Sequence, residues 1–202
     1  CEGIKKSGLN QVPKGLEGIT SILDFYIGGV NTALSSAKRQ NYNPSFNLVK
    51  KAITELIKKK ISLNESVIPF DDAFHAVQNV VKEYIPSKTF LDDLISEGVL
   101  TKGITREEAN VVEVVYITFE RFDDHLTANY LLEGINEVGA EFTDADKLYE
   151  FVKDESCLYF NQGLIEAFSI QLPEKYSKEL YELVPDLSSN EELILAFVNS
   201  LV

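Results

Sequence analysis

Apolar residues recur at helical spacing along most of the chain, which predicts a mainly helical fold. Between positions 16 and 37 they lie three or four residues apart, although Gly28 and Gly29 weaken the middle of this first helix. Pro44 suits the first turn of a second helix, because that turn leaves its amide hydrogens unpaired and proline has none. The apolar stripe of the second helix comprises Phe46, Val49, Ala52, Ile53, Leu56 and Ile57.

Lysines occupy the opposite face and the end of the second helix: Lys50, Lys51, Lys58, Lys59 and Lys60. Cations near the C-terminal end of a helix are stabilised by the helix dipole, so this pattern favours a solvated surface. Binding of an anion or of a partner is the alternative interpretation.

Two shorter helices are predicted next. Asp71 or Asp72 can cap the first of them, and Pro86 ends it. Ser87 is expected to cap the second, and Gly98 suits the left-handed conformation in which many helices end.

A hairpin is predicted after these helices. An extended segment begins at Val99, residues 102–110 are interpreted as a polar loop, and β-branched and aromatic residues predict a return strand from Val111 to Thr118. Helices followed by such a hairpin are typical of a winged-helix module. We therefore predict a winged-helix-like module at residues 63–135.

The remainder of the chain is predicted to be helical. A helix over 119–135 is expected to turn four residues inward, Phe122, Leu126, Tyr130 and Leu131. Shorter helices are predicted near 144–153, 156–171, 174–184 and 190–201, punctuated by Pro173 and Pro185.

Together these elements predict a mainly α fold in three segments. A helical segment covers residues 1–62, the winged-helix-like module covers 63–135, and antiparallel helices cover 136–202. The short helices of the last segment are consistent with the beginning of an α-solenoid.

The net charge of −13 is unevenly distributed. Residues 1–60 hold ten Lys and Arg against four Asp and Glu, whereas residues 61–202 hold nine against 28. An acidic surface repels the phosphates that dominate nucleic-acid binding. The helix expected at the recognition position, residues 88–97, has one lysine and three acidic residues. A winged-helix nucleic-acid-binding regulator is therefore the alternative function rather than the preferred one.

Several features bear on the compartment. No apolar run approaches the length of a membrane span and no leader pattern is visible, so we expect a cytoplasmic protein that does not bind membranes. Cys1 and Cys157 lack CxxC or Cys/His spacing and are interpreted as reduced thiols, with a disulfide or a lipid-modified Cys1 as alternatives. Because the chain starts without Met, we interpret it as a piece of a longer protein, with a processed protein as the alternative.

No short motif of a common catalytic centre is present: the chain has no GxxxxGK[ST], HExxH or GxSxG sequence and no paired zinc ligands. Neighbouring carboxylates such as Asp92 and Asp93 project to different sides of a helix, which is poor geometry for shared acid–base work. We predict no catalytic residue and no metal site. An unrecognised enzyme would need a pocket that gathers His75 or His125 with carboxylates.

Arg121 and His125 are the candidate binding residues. They lie four positions apart on the helix predicted after the return strand, so both side chains can reach one surface spot. Arginine and histidine can both donate hydrogen bonds to a phosphate oxygen. Alternatively, Arg121 pairs with a carboxylate and His125 satisfies a backbone carbonyl.

Four stretches of the chain carry a family resemblance. ITFERFDDHLTANYLLE, residues 117–133, resembles the end of the winged-helix region in STAND-type NTPases, and most of all in the bacterial antiviral Avs proteins. FLDDLISEGVLT at 90–101 is similar to the second helix and first wing strand of that module. VPKGLEGITSILDFYI at 12–27 resembles the segment after the ATPase core, and GLIEAFSIQLPEKYSKELYELVPD at 163–186 resembles a G-L-x-E-A-x-x-I-Q-x-P-E motif.

The resemblance implies a non-catalytic regulatory fragment of a larger antiviral switch protein. In such proteins, helical repeats bind a protein ligand, and the ATPase core on the same polypeptide then changes its nucleotide state and oligomerises. ATP or ADP with Mg²⁺ would bind the parent protein and not this fragment, and no direct contact with nucleic acid is expected. His125 corresponds in position to a histidine that touches nucleotide in related NACHT-type proteins.

Overall fold

The computed structural model of the protein describes residues 18–85, 88–107, 110–133, 151, 154–183, 191, 194, 195 and 198. These residues form two compact units, Cys1–Phe122 and Asp123–Val202, and the division falls inside one helix. The protein is mainly helical and contains a small antiparallel sheet of three strands. The predicted mainly α fold class is therefore confirmed, whereas the predicted boundaries at 62 and 135 stay predictions.

The first unit contains four helices and three strands among its described residues. They are α1 (Gly18–Ser35), α2 (Leu48–Leu63), β1 (Ile68–Pro69), α3 (Phe70–Val81), α4 (Phe90–Ser96), β2 (Leu100–Glu107) and β3 (Asn110–Ile117). The strands are ordered β1-β3-β2 in the sheet, and both pairings are antiparallel. From α3 onward, the order of two helices and a hairpin is the one that the sequence predicted, and the short strand β1 before them was not predicted.

The connection between α1 and α2 differs from the prediction. Pro44–Phe46 forms a separate 3₁₀ turn capped by the Asn43 side chain, and helix α2 begins only at Leu48. Asn47 separates the 3₁₀ turn from α2. Its φ of 49° is left-handed, a conformation that asparagine tolerates well. Phe46 consequently lies outside the helix and is 37% exposed, so its predicted place in the apolar stripe was wrong.

The predicted helix caps were only partly correct. Helix α3 begins at Phe70 with Pro69 at its N-cap, which places Asp71 and Asp72 in the first turn and not at the cap. The prediction for Ser87 lies outside the described residues, and Thr89 occupies the N-cap of α4. Gly98 follows α4 with a φ of 73°, which confirms its predicted left-handed conformation.

The hairpin is longer than predicted, because β2 continues to Glu107 through residues interpreted as loop. Its residues pair with β3 in an unbroken register from Leu100↔Ile117 to Glu107↔Asn110. Gly103 permits a close approach, since a Cβ there would lie 3.3 Å from the ring of Tyr116. The Tyr116 ring thus packs over Gly103 and lies next to the space that a side chain at residue 103 would occupy.

The core of the first unit lies where α2 and α3 pack on each other, on α4 and on the sheet. Its largest fully buried side chains are Leu34, Leu48, Ile53, Leu56, Ile57, Phe90, Leu91 and Leu94. Ile53, Leu56 and Ile57 belong to the stripe that helical spacing predicted for the second helix.

The second unit contains most of helix α5 (Glu120–Glu133), followed by α6 (Glu155–Phe160), α7 (Gln162–Tyr176) and α8 (Leu180–Leu183). Pro173 was expected to separate two helices but lies inside α7, which ends at Ser177 with a left-handed φ of 54°. Most of the helix predicted near 144–153 lies outside the described residues, and the predicted solenoid stays a prediction.

Candidate functional site

The two candidate binding residues, Arg121 and His125, lie on helix α5 as expected. Arg121 belongs to the first unit and is exposed, whereas His125 belongs to the second unit and is only 1% exposed. Of the four residues predicted to face inward, Leu131 is buried, whereas Phe122, Leu126 and Tyr130 are only half-buried. The buried stripe of α5 instead includes the polar residues His125 and Thr127.

His125 is paired with Gln171 of helix α7. The Gln171 amide nitrogen donates to the backbone carbonyl oxygen of His125 at 2.8 Å. The same nitrogen lies 3.2 Å from His125 Nδ1, which accepts if the ring carries its proton on the other nitrogen. Gln171 is 1% exposed, so both polar side chains lie within the interior of the second unit.

The amide oxygen of Gln171 is buried and has no hydrogen-bond partner among the described residues. Reversing the amide would not help, because its oxygen would then face the His125 carbonyl oxygen. An unpaired buried acceptor costs about 1–3 kcal/mol, so this residue is not optimised for stability alone. An apolar side chain at the same position would avoid that penalty.

A second contact joins the same two helices one residue earlier on α5 and at the N-terminal end of α7. Gly163 lies in the first turn of α7, and a Cβ there would overlap the Asp124 carboxylate, approaching Cγ to 2.9 Å. A side chain at residue 163 would therefore require the Asp124 carboxylate to move. A carboxylate near a helix N-terminus is also stabilised by the helix dipole.

Further polar contacts continue along the pair of helices. The Tyr176 hydroxyl donates to the Leu132 carbonyl oxygen at 2.8 Å, and Lys175 Nζ contacts the Asn129 side chain. The contacts of Asp124 with Gly163 and of His125 with Gln171 thus belong to one interface between α5 and α7.

In the first unit, helix α4 occupies the recognition position of a winged helix and is covered by the chain before it. Arg39 forms ion pairs with Asp93 at 3.1 Å and with Glu97 at 3.0 Å. The hydrogen bond to Asp93 is the main reason why the pKa of Arg39 is raised. Tyr26 of α1 donates its hydroxyl hydrogen to the Glu97 carbonyl oxygen at 3.3 Å.

Gln40 extends this cover to the beginning of α4. Its amide nitrogen donates to Thr89 Oγ1 at 3.0 Å and also contacts the Asp93 carboxylate. The carboxylates of Asp93 and Glu97 are thus engaged within their own unit, whereas Asp92 is exposed. A helix held in this way presents carboxylates and backbone to its neighbour, which is the opposite of what a DNA-reading helix needs.

The lysine face of α2 is paired with acidic and aromatic groups. Lys50 forms an ion pair with Asp24 at 3.0 Å, Lys58 with Glu55 at 2.5 Å and Lys59 with Asp72 at 3.3 Å. Lys51 lies 4.9 Å from the centre of the Tyr84 ring. An open groove of about 430 Å³ runs beside these residues, but it also contains Glu55 and Glu83. These contacts favour the interpretation of a solvated face.

The described residues contain no group of three histidine, cysteine or acidic side chains that could hold a metal ion. His75 is exposed on α3, with its ring 5.7 Å from that of Phe74. Cys157 lies in α6, where its backbone N–H donates to the capping carboxylate of Asp154 at 2.9 Å. None of the described helices is long and apolar enough to cross a membrane.

Sequence reasoning missed Arg39, Gly163 and Gln171. Gln171 lies three positions after Phe168 and directly before Leu172, which places it on the apolar face of the helix. A polar residue on that face was the signal that could have found it. The role of Gly163 depends on a residue 39 positions earlier, which local patterns do not reveal. No protein family, curated protein or solved structure with which the chain was compared matches it.

Proposed function

We propose that this chain is a non-catalytic regulatory segment of a STAND-type ATPase that acts in antiviral defence. It couples the sensing of a protein ligand by helical repeats to the nucleotide state of an ATPase core encoded outside the chain. The observation that carries the proposal is the pairing of α5 with α7. Two stretches that resemble this family independently supply the two sides of one polar interface.

The polar character of this interface supports a switching role. Apolar helices can shift along each other with little change in contact energy, whereas the hydrogen bond from Gln171 to His125 exists in one register only. A ligand that moves α7 along α5 must break this bond and the fit of Asp124 on Gly163. In the proposed switch this paired arrangement is one of two discrete states, which is the property that a regulatory element needs.

The covered α4 helix favours this function over the nucleic-acid-binding alternative. Its carboxylates Asp93 and Glu97 are held by Arg39, so a DNA backbone would meet acidic groups and not a basic surface. We therefore propose that the winged-helix-like module is a structural arm and does not bind DNA.

ATP or ADP with Mg²⁺ and oligomerisation on activation belong to the proposed parent protein. A contact between His125, Arg121 and the nucleotide phosphates stays a prediction. In the arrangement described here the His125 ring is enclosed beside the Gln171 amide, so we derive no step through a bound nucleotide.

The first test uses the chain alone. We expect negligible ATP turnover and no salt-dependent binding to duplex DNA, measured by phosphate release and fluorescence anisotropy. Robust turnover that is abolished by a single substitution would contradict the proposal. Tight DNA binding that weakens as salt rises would restore the alternative function.

The second test uses the parent polypeptide, whose reading frame is expected to encode a P-loop before this segment. Gln171→Met keeps the side-chain length but removes the donor to His125, so we expect higher basal activation without ligand. Ser169→Ala is the matched control, because the Ser169 hydroxyl donates only to the Ile165 carbonyl oxygen within the same helix. Equal basal activity in both variants, with normal folding, would argue against a switch at this interface.

A further inference from the structure

The outer edge of strand β2 is open in the part of the chain that the structure describes. Strand β3 lies between β1 and β2, so β2 has a neighbour on one side only. Its pairing with β3 holds it extended from Leu100 to Glu107. The other side presents backbone N–H and C=O groups with which one more strand can pair.

Lys102, Ile104 and Arg106 project to the same side of the sheet, because alternate residues of a strand share a face. Ile104 is 75% exposed, and Val111, which pairs with Arg106 on β3, is 64% exposed. Val115 is fully buried on the same face. The hairpin therefore runs out of the core and leaves an apolar surface at its far end.

Two cations flank Ile104 on its own strand, and Glu113 lies opposite it on β3. Lys102 forms an ion pair with Glu113 at 2.9 Å, and its Nζ lies 4.4 Å from the centre of the Phe70 ring. Arg106 is exposed and forms no ion pair with any described residue. The exposed face of β2 thus presents an isoleucine between two cations. A strand with an apolar residue between two acidic residues would match this pattern.

We propose that β2 binds an extended segment of a protein partner that has an apolar residue with an acidic residue two positions to either side. Backbone hydrogen bonds along the open edge supply affinity, as in other cases of strand addition. The apolar residue packs on Ile104, and the acidic residues face Lys102 and Arg106. This proposal does not rest on the function proposed above.

A second copy of the chain is a poorer occupant of the same edge. If two β2 strands paired antiparallel around Ile104, Lys102 of each strand would face Arg106 of the other. Like charges directly opposite each other destabilise a strand pair. The charge pattern thus selects an acidic partner and disfavours self-association.

The test measures binding of short fluorescent peptides to the intact chain by anisotropy. The acidic probe carries glutamate, valine and glutamate at alternate positions, with threonines between them. A lysine probe replaces both glutamates, and an N-methylated probe keeps the acidic side chains but loses the backbone donors that face β2. We expect the acidic probe to bind about tenfold more tightly than either of the others.

Charge reversal provides the matched variants. Arg106→Glu is expected to weaken the acidic probe by about tenfold and to improve binding of the lysine probe. Lys38→Glu makes the same charge change at an exposed position outside the sheet and should leave both affinities unchanged. Hydrogen exchange at residues 101–106 should slow when the acidic probe is bound.

Three results would overturn the proposal. The first is no binding of the acidic probe, and the second is equal binding of its N-methylated form, which would show adsorption without strand addition. The third is self-association of the chain that Ile104→Thr removes, because a second copy would then occupy the edge.

Discussion

The two units of the protein differ in charge and in what they bury. Residues 1–122 hold fifteen basic and fifteen acidic side chains, whereas residues 123–202 hold four lysines and seventeen acidic side chains. The whole net charge of −13 thus belongs to the second unit. Among the described residues, Asn31 is the buried polar side chain of the first unit, and the second unit buries His125, Thr127, Ser169 and Gln171.

This difference shows two ways of holding helices together. The first unit relies on apolar side chains, and its polar clamp at Arg39 lies at the surface, where ion pairs contribute little to stability. The second unit places polar side chains between helices, where each must be hydrogen-bonded to offset its lost hydration. Such an interface gains specificity of register at the expense of stability, which suits a regulatory element.

The largest expected effect comes from the two fully buried phenylalanines, Phe90 and Phe168. Truncation of either to alanine should lower the free energy of unfolding of its own unit by about 3–5 kcal/mol. Hydrogen exchange measured by mass spectrometry can assign the loss to the residues around each site. If Phe90→Ala also exposed α7 to exchange, the two units would unfold as one and the comparison would fail.

Two glycines on helices should respond in opposite directions. Gly163→Ala would drive a methyl group into the Asp124 carboxylate, and we expect a loss of about 1–3 kcal/mol in the second unit. Gly28→Ala meets no atom within 4 Å in helix α1, and it should stabilise the first unit by up to about 1 kcal/mol. Chemical denaturation of both variants measures the two changes.

A double variant sharpens the interpretation of Gly163. Asp124→Ala removes the carboxylate that the new methyl group would strike, so it should recover part of the loss caused by Gly163→Ala. Additive losses in the double variant would show that the close approach of Asp124 is not the reason for glycine at this position.

The smallest expected effect concerns Tyr42 in the first unit. Its hydroxyl contacts the carbonyl oxygen of Asn31 at 3.0 Å and the side-chain oxygen of Asn31 at 2.9 Å. Burial, followed by the charge of Asp93, raises the pKa of Tyr42 above its ordinary value of 10.0. The folded state binds this proton up to a higher pH than the unfolded state does. The contribution of Tyr42 to the free energy of unfolding is therefore fully present below pH 10 and declines above it.

Tyr42→Phe isolates this contribution. At neutral pH the free energy of unfolding of the variant should be about 1 kcal/mol lower, since a hydrogen bond disappears. Between pH 9 and pH 11 it should fall less than that of the unsubstituted chain. Urea denaturation monitored by circular dichroism across this pH range measures both changes. An identical pH dependence in the two proteins would assign the alkaline loss to other groups.

Much of the architecture follows from local sequence. The helical stripe of α2, the left-handed Gly98 and the strand β3 follow rules that depend only on near neighbours. The winged-helix order could be predicted for the same reason, because each of its elements has its own periodicity. The short strand β1 could not, since a pair of residues has no period.

Tertiary structure decided the features that depend on distant partners. Residues 102–106 were polar enough to be interpreted as loop, and they form a strand because β3 pairs with them and Tyr116 covers Gly103. His125 was recognised as unusual from its neighbours on one helix, but only α7 brings Gln171 to its carbonyl oxygen. The sequence by itself thus determined most of the helices, the return strand β3 and the left-handed Gly98. Which polar groups are buried together was decided by packing, because hydrogen bonds between distant segments leave no local pattern.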